Sequence, residues 1–306
     1  MSAAPTPATG RPTKPSNAKR NVSIMLVLLV IGWAALSVDV RLDRLSALPG
    51  GLWRVVYKMF FEFGPDWSYI DVSIEHMIQS IEIAWIGTII GAVFSLPIGF
   101  IAAKNVSSGL ISNAMRQFLN GIRAFPELVL AVAIFIPIAG LGPVAGALAI
   151  GFHSIGTLGK LTAEVVEGID SGPVEAARAA GGRWAQIQRW GVLPQVLPEI
   201  IAFWLYRFEI NIRAAAVLGV VGAGGIGFIV QQTLAFGRFP RAGMALLVVI
   251  AATILVDTAS GWVRRRIIEG ADRRIEQAEI FEQSGPAASA GGPRSRGMAQ
   301  ADTAAG

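Results

Sequence analysis

The sequence predicts an all-α polytopic membrane protein of about six transmembrane helices. Three observations predict it. The 306 residues are 53% hydrophobic and only 15% charged, and mean hydropathy is +0.55; soluble domains carry about 25% charged residues. Apolar runs recur along the chain, several close to the roughly 20 residues that cross a bilayer. Lysine and arginine gather at alternate gaps between those runs, so every cluster falls on one side of a six-span chain. The absence of cysteine excludes a disulfide framework and a thiolate metal site.

The elements follow in order. Residues 1–20 are rich in Ala, Pro and Thr without apolar periodicity and are expected to be a disordered tail. Val22–Val38 is the first span; it is longer than the h-region of a signal peptide and is expected to stay as an anchor. A long extracytoplasmic segment follows, from Asp39 to Ser80. Its basic residues Arg41, Arg44, Arg54 and Lys58 are offset by Asp39, Asp43, Glu62, Asp66, Asp71 and Glu75. The second span is Ile81–Ala103 and the third Leu128–Leu141. The fourth, Val144–Leu161, comes directly after the break at Gly140–Pro143. Ile200–Val230 holds the fifth, with polar interruptions, and Ala242–Val263 is the sixth. The basic clusters are Lys14, Lys19 and Arg20; Lys104, Arg116 and Arg123; Arg178, Arg183 and Arg189; and Arg264, Arg265 and Arg266. The positive-inside rule puts all four in the cytoplasm, with both termini inside. Ile267–Phe281 suits a short helix at the inner surface, and residues 284–306, rich in Gly, Ala and Ser, suit a second disordered tail. The expected organisation is a tail over 1–20, an anchor and extracytoplasmic segment over 21–76, a transmembrane domain over 77–266 and a cytoplasmic tail over 267–306.

Residues 171–198, SGPVEAARAAGGRWAQIQRWGVLPQVLP, break the apolar pattern. Ser171 or Gly172 can cap a helix whose first turn tolerates Pro173. Val174–Ala180 then reads as helix, with Ala176, Ala177 and Ala180 forming a small-residue face. Gly181 and Gly182 stop it, because glycine accepts the left-handed turn at a helix end. A second helix is expected over Arg183–Trp190, after which Pro194 and Pro198 stop and redirect the chain. The result is a helical hairpin on the cytoplasmic face.

This hairpin resembles the EAA loop of ABC importer permeases. That pattern runs Glu-Ala-Ala, three residues, Gly, nine residues, Ile, one residue, Leu-Pro. Here Glu175, Ala176, Ala177, Gly181, Leu193 and Pro194 stand in register. One position departs: Gly191 occupies the place where Ile is usual, which bears on packing at the end of the second helix. The resemblance implies a type I ABC importer transmembrane fold. It also implies that the hairpin couples to a separate ATP-hydrolysing subunit, docking in a groove on its surface. A short stiff helix can carry that subunit's rigid-body motion into the membrane, and Glu175 offers a charged anchor. The plainer reading has Glu175 pairing with Arg178 or Arg183 within the loop.

The fifth span carries Arg207, Glu209, Asn211 and Arg213 within an otherwise apolar helix. At 1.5 Å per residue, Arg207 lies about 14 Å beyond Pro198. A charge near the bilayer centre costs at least about 2.5–3.5 kcal/mol, so these side chains face protein or water. Glu209 and Arg213 are four apart and can pair on one face; Arg207 and Asn211 share another. Either the group locks helices together, or an arginine lines a translocation path and attracts an anion. His153, Lys160 and Glu82 raise the same question; for His153 a satisfied core position is the better fit. The glycines Gly222, Gly224, Gly225 and Gly227 lack the strand and βαβ setting of a nucleotide-binding loop. No G-x-x-x-x-G-K-[ST] occurs. They read as a break or close approach near the outer end, serving a gate or simple packing.

FEINIRAAAVLGVVGAGGIG (Phe208–Gly227), the FGRFPRAG segment (Phe236–Gly243) and the final DTASGWVRRR (Asp257–Arg266) resemble the phosphonate-uptake permeases. The resemblance covers about Glu75 to Arg266. It implies a multi-pass protein of the bacterial inner membrane that translocates phosphonate or a related phosphorus oxyanion by alternating access. Its implied partners are ABC ATPase subunits, a periplasmic or lipid-anchored binding protein and a second permease copy, the same chain or a related one. ATP would be used by the partner subunit, so no cofactor, metal site or catalytic residue is expected on this chain. A methionine importer is the nearest alternative. An ion-coupled secondary transporter using Glu209 or Glu82 is another, although no inverted repeat is evident.

Overall fold

The computed structural model describes residues 17–37 and 42–284. The expected tails lie outside the described residues except at their inner edges, where Ala18–Arg20 and Ser284 are already helical. Two compact units divide between Val56 and Tyr57. The first holds α1 (Ala18–Ser37) and α2 (Leu42–Phe60) as far as Val56. The second carries every site discussed below.

That unit opens, after a 3-10 turn at Trp67–Tyr69, with α3 (Ile70–Ala102), whose start lies eleven residues before the apolar run at Ile81. Asp66 caps the turn by accepting from the Ser68 amide at 3.1 Å. The extra turns of α3 bury Ser73, Met77 and Ser80 on one side and expose Asp71, Ile74, Glu75 and Ile78 on the other. α4 (Gly109–Ala124) and the pieces α5 (Glu127–Leu130) and α6 (Ile136–Ala139) form one apolar pair bent by 80°. The expected third span Leu128–Leu141 is thus not one straight helix; it is broken into α5, a π turn and α6, with α4 packed before it at a sharp angle. The bend falls at Phe125–Pro126, where the proline disfavours helix at the residue before it.

α7 (Pro143–Glu167) packs along α3 at very short range. A Cβ on Gly91 would come within 2.4 Å of Ser154 Cβ, and one on Gly99 within 2.6 Å of Thr162 Cβ. Small residues at four-residue spacing let membrane helices approach this closely. α8 (Ser171–Ala179) and α9 (Trp184–Ile187) form the hairpin. α10 (Leu193–Gly219) runs on from the hairpin, α11 (Ile226–Ala235) follows a glycine turn, and α12 (Phe239–Ser284) ends the described chain. The expected fifth span is thus split, and Ile267–Phe281 continues α12 rather than standing alone.

By length and composition, α1, α3, α7 and α12 can each cross a membrane among the described residues, and the bent pair adds a fifth crossing if its two arms form one broken span rather than a re-entrant loop. α10, at 27 residues, is long enough but carries Glu199, Arg207, Glu209 and Arg213. The main core joins α3, α7, α10, α11 and α12 through Ile83, Ile150, Ile212, Leu218, Ile226 and Ala245, all nearly inaccessible.

Two π-helical turns, Ala131–Phe135 and Gln188–Val192, each precede a proline by two residues, Pro137 and Pro194. Proline cannot donate the next i→i−4 bond and crowds the carbonyl behind it; widening the turn relieves both. Pro194 and Pro198 therefore do not stop the chain. Pro194 sits in the first turn of α10, where a missing N–H is harmless, and Pro198 is absorbed within it.

Candidate functional site

The hairpin is exposed but firmly rooted. Asp170, not Ser171 or Gly172, caps α8 by accepting from the Gly172 amide at 3.0 Å. Gly181 turns the chain with φ +75° in open space, the left-handed conformation expected at a helix end. Close approach falls to other glycines. A Cβ on Gly182 would meet the Ala177 carbonyl oxygen at 2.7 Å, and one on Gly191 would meet Val174 Cα at 3.2 Å. Gly191, the departure from the family pattern, is where the two arms touch backbone to backbone. The second arm is α9 plus the following π turn, with Gln186 accepting from the Arg183 amide at 2.8 Å.

Val174 and Leu193 pack on a buried cluster of Val166, Val192, Val196 and Ile200. Gln195 joins entry to exit, accepting from the Asp170 amide at 3.1 Å and donating to the Gly191 carbonyl at 2.6 Å. Beyond that root, Glu175, Ala176 and Gly181 are exposed and Ala177 half-buried. Leu193 is half-buried and Pro194 exposed where α10 begins. Trp184 and Trp190 stand 63% and 70% exposed. Glu175 has no ion pair or side-chain hydrogen bond among the described residues, so it pairs with neither Arg178 nor Arg183.

The intramembrane polar residues meet, but not as spacing suggested. Arg207 Nε donates to Ser154 Oγ at 3.0 Å, and its Nη2 donates to His153 Nδ1 at 2.8 Å and lies 3.4 Å from Glu127 Oε2. Asn211 Nδ2 donates to Thr88 Oγ1 at 2.8 Å and to Ser154 Oγ at 3.2 Å. One network therefore ties α3, α5, α7 and α10. Glu209 and Arg213 do not pair with each other. Arg213 makes a two-oxygen contact with Asp257 at 2.9 and 3.1 Å, and Glu209 lies 3.9 Å from Arg264. Both pairs run from α10 to α12. Lys160 lies 3.9 Å from Glu164, and Glu82 is exposed on α3. Beside the network, a groove of about 320 Å³ runs between α5 and α10, lined by Glu127, Arg213 and apolar side chains including Leu128 and Val217.

The glycine segment is a tight turn between α10 and α11. Gly222, Gly224 and Gly225 have φ of +91°, +79° and +73°. Gln79 Oε1 accepts from the Gly225 amide at 2.7 Å and Ser80 Oγ from the Ile226 amide at 2.9 Å, so α3 caps α11. The Gly142 amide donates to the Gly222 carbonyl at 2.9 Å. Gly227 lies where a Cβ would come within 1.8 Å of the Ala216 carbonyl oxygen.

Sequence reasoning missed Glu127, Ser154, Thr88, Asp257, Gln79, Ser80 and Gln195. Glu127 had a signal, a carboxylate just before an apolar run. The serines and threonine had none, since such residues are common in membrane helices.

Residues 95–269 match the family described as binding-protein-dependent transport system inner membrane component. The chain is 42% identical over 202 residues to the phosphite transport system permease protein PtxC of Stutzerimonas stutzeri, covering 66% of this chain and 73% of that one. It is 40% identical over 191 residues to the phosphate-import permease protein PhnE of Mycolicibacterium smegmatis, covering 62% of this chain and 36% of that longer one. Among solved structures it is similar to an inward-facing form of the MetNI methionine ABC transporter. The TM-score there is 0.60 at 20% identity, covering 66% of this chain and 99% of that one, a likeness of fold alone.

Proposed function

The chain belongs to the family of binding-protein-dependent transport system inner membrane components, and from that premise we propose that it is the permease subunit of an ATP-driven importer for phosphonate or a related small phosphorus oxyanion. It is a transport subunit, not an enzyme. The single observation that carries the coupling role is the α8–α9 hairpin. Its Glu175-Ala176-Ala177…Gly181…Leu193-Pro194 pattern sits on a stiff projection whose root is buried and whose tip is bare. The substrate reading is supported by the resemblance to phosphonate-uptake permeases and by relatives named for phosphite and phosphate import.

On this reading residues 77–266 form the transport domain, with both termini and the hairpin in the cytoplasm, as the basic clusters require. ATP is bound and hydrolysed by a partner subunit, and this chain holds no cofactor. A second permease, the same chain or a related one, supplies the other half of the pathway. A loaded binding protein docks on the outer face. Closure of the ATPases pushes the hairpin, and through Val174, Val192 and Val196 the motion reaches α7 and α10. The paired halves open outward, accept the ligand and reset after hydrolysis. In the translocation path the chain offers Arg207, Glu209, Asn211, Arg213 and His153. The turn glycines Gly222, Gly224, Gly225 and Gly227 hold the outer packing of α10 against α11.

The test is reconstitution with the ATPase and binding protein in vesicles. Glu175→Ala removes a side chain with no partner among the described residues, so stability should stay within about 0.5 kcal/mol of wild type while uptake and stimulated ATP hydrolysis both fall. Gly181→Pro cannot adopt φ +75° and should uncouple transport completely. Full-rate ATP-driven uptake by Gly181→Pro would sink the coupling role.

A further inference from the structure

Arg207 is only 7% exposed and is under-compensated. Its Nε is committed to Ser154 and its Nη2 to His153, while its Nη1 has no hydrogen-bond partner among the described residues. The one carboxylate near it is Glu127, held at 3.4 Å through a single oxygen rather than by the two-bond fork that makes arginine–carboxylate pairs strong. Because His153 Nδ1 accepts from Arg207, the ring is neutral and its proton sits on Nε2, a second donor without a partner among the described residues. More positive charge is close by. Arg123 packs its stem against α7 at Gly156, next to the turn that bears His153, and Arg213 lines the same groove as Glu127.

Glu127 stands at the boundary. Its side chain is 29% exposed and it belongs both to the buried network and to the wall of the groove. The groove side of α10 is not a lipid surface: Arg213 and Asp257 form an ion pair there with 47% and 42% of their side chains exposed, amid apolar helices. Hydrocarbon would not tolerate that pair, so water or protein covers it.

We propose that Arg207 and the Nε2–H of His153 form an oxyanion-binding station inside the membrane, with Glu127 as an internal counter-ion that the translocated oxyanion displaces. The inference rests on the importer reading and names where its substrate is held. A tetrahedral phosphorus oxyanion brings several acceptor oxygens to meet the free donors of Nη1 and Nε2. When the station is empty, Glu127 neutralises Arg207; when an anion enters through the groove, the carboxylate swings into the groove and the anion takes its place. Return of Glu127 expels the anion, which keeps binding weak enough for passage.

The experiment uses the permease–ATPase complex in vesicles with phosphite-loaded binding protein, recording phosphite uptake and ATP hydrolysis separately. Phosphite binding to the complex without binding protein is measured alongside. Arg207→Gln should cut phosphite uptake by about tenfold or more and weaken phosphite binding to the complex in step, the loss of a charge-assisted contact. Glu127→Gln removes the competitor, so phosphite should bind about tenfold more tightly while uptake slows through delayed release. If Arg207→Gln fails to assemble, Glu127→Gln decides alone: wild-type binding together with wild-type uptake overturns the station. Wild-type uptake by an assembled Arg207→Gln complex overturns it as well. A wild-type complex whose hydrolysis ignores the binding protein would instead overturn the importer reading.

Discussion

Gly227 and Gly181 are the same residue type doing opposite things. At Gly227 the backbone is ordinary helix, but a Cβ would sit 1.8 Å from the Ala216 carbonyl oxygen. Gly227→Ala should therefore force α11 off α10, at a cost of about 1–3 kcal/mol or more, read as a lower melting temperature of the detergent-purified protein. At Gly181 nothing lies within 4 Å, but φ is +75°. Gly181→Ala should cost about 1–2 kcal/mol locally, loosening the hairpin tip while global melting barely moves. Asp66 gives a pH expectation. Hydrogen bonds from Ser68, and then the Arg241 guanidinium 3.0 Å away, hold its carboxyl below the ordinary range. A lowered pKa stabilises above the unfolded value and is lost only as pH falls through the folded one. This tie between the α3 entry and α12 should thus persist from pH 8 down to about pH 5 and weaken only below the ordinary carboxylate range, near pH 4. Melting curves of wild type and Asp66→Asn should converge only at that acid end.

At the scale of elements, the hairpin was legible because its signals are local. A glycine pair, a run of alanines and a following Leu-Pro specify two short helices and a turn from neighbouring residues alone. Its fit to the bundle was not legible. Gly191 looked like a defect where Ile is usual, yet it is the contact between the arms, 3.2 Å from Val174 Cα for an added Cβ. Gly191→Ile, which restores the family residue, should here wedge the arms apart and cost about 1–3 kcal/mol, with stimulated ATP hydrolysis falling in parallel. The prolines were misjudged for a related reason. Proline breaks an isolated helix, but Pro194 follows a π turn and Pro198 lies in a helix that packing holds together. The bent pair escaped notice because α4 is amphipathic, and an amphipathic stretch reads as loop or surface until its apolar side is seen against α7.

Across the molecule, α10 is the element to which the other parts answer. It roots the hairpin at one end, meets the glycine turn at the other, and makes ion pairs to α5 and α12 between. The Arg213–Asp257 contact should show in a double-mutant cycle. Arg213→Gln and Asp257→Asn each strand a charge, so the double variant should lose less than the sum, with a coupling of about 0.5–3 kcal/mol measured by thermal unfolding. The amino-acid sequence by itself determined residence in a membrane, the apolar runs, the positions of the basic clusters and the helical hairpin over 171–198. Each of these is written in run length, charge position or turn chemistry within a few residues. Only the tertiary structure decided which charge meets which, and that Gln79 and Ser80 cap a helix 146 residues away. The physical reason is that those bonds cross between helices 44 to 146 residues apart. Spacing along one helix offers partners four residues distant, but in lipid a buried charge pairs with whatever neighbouring helix brings close enough.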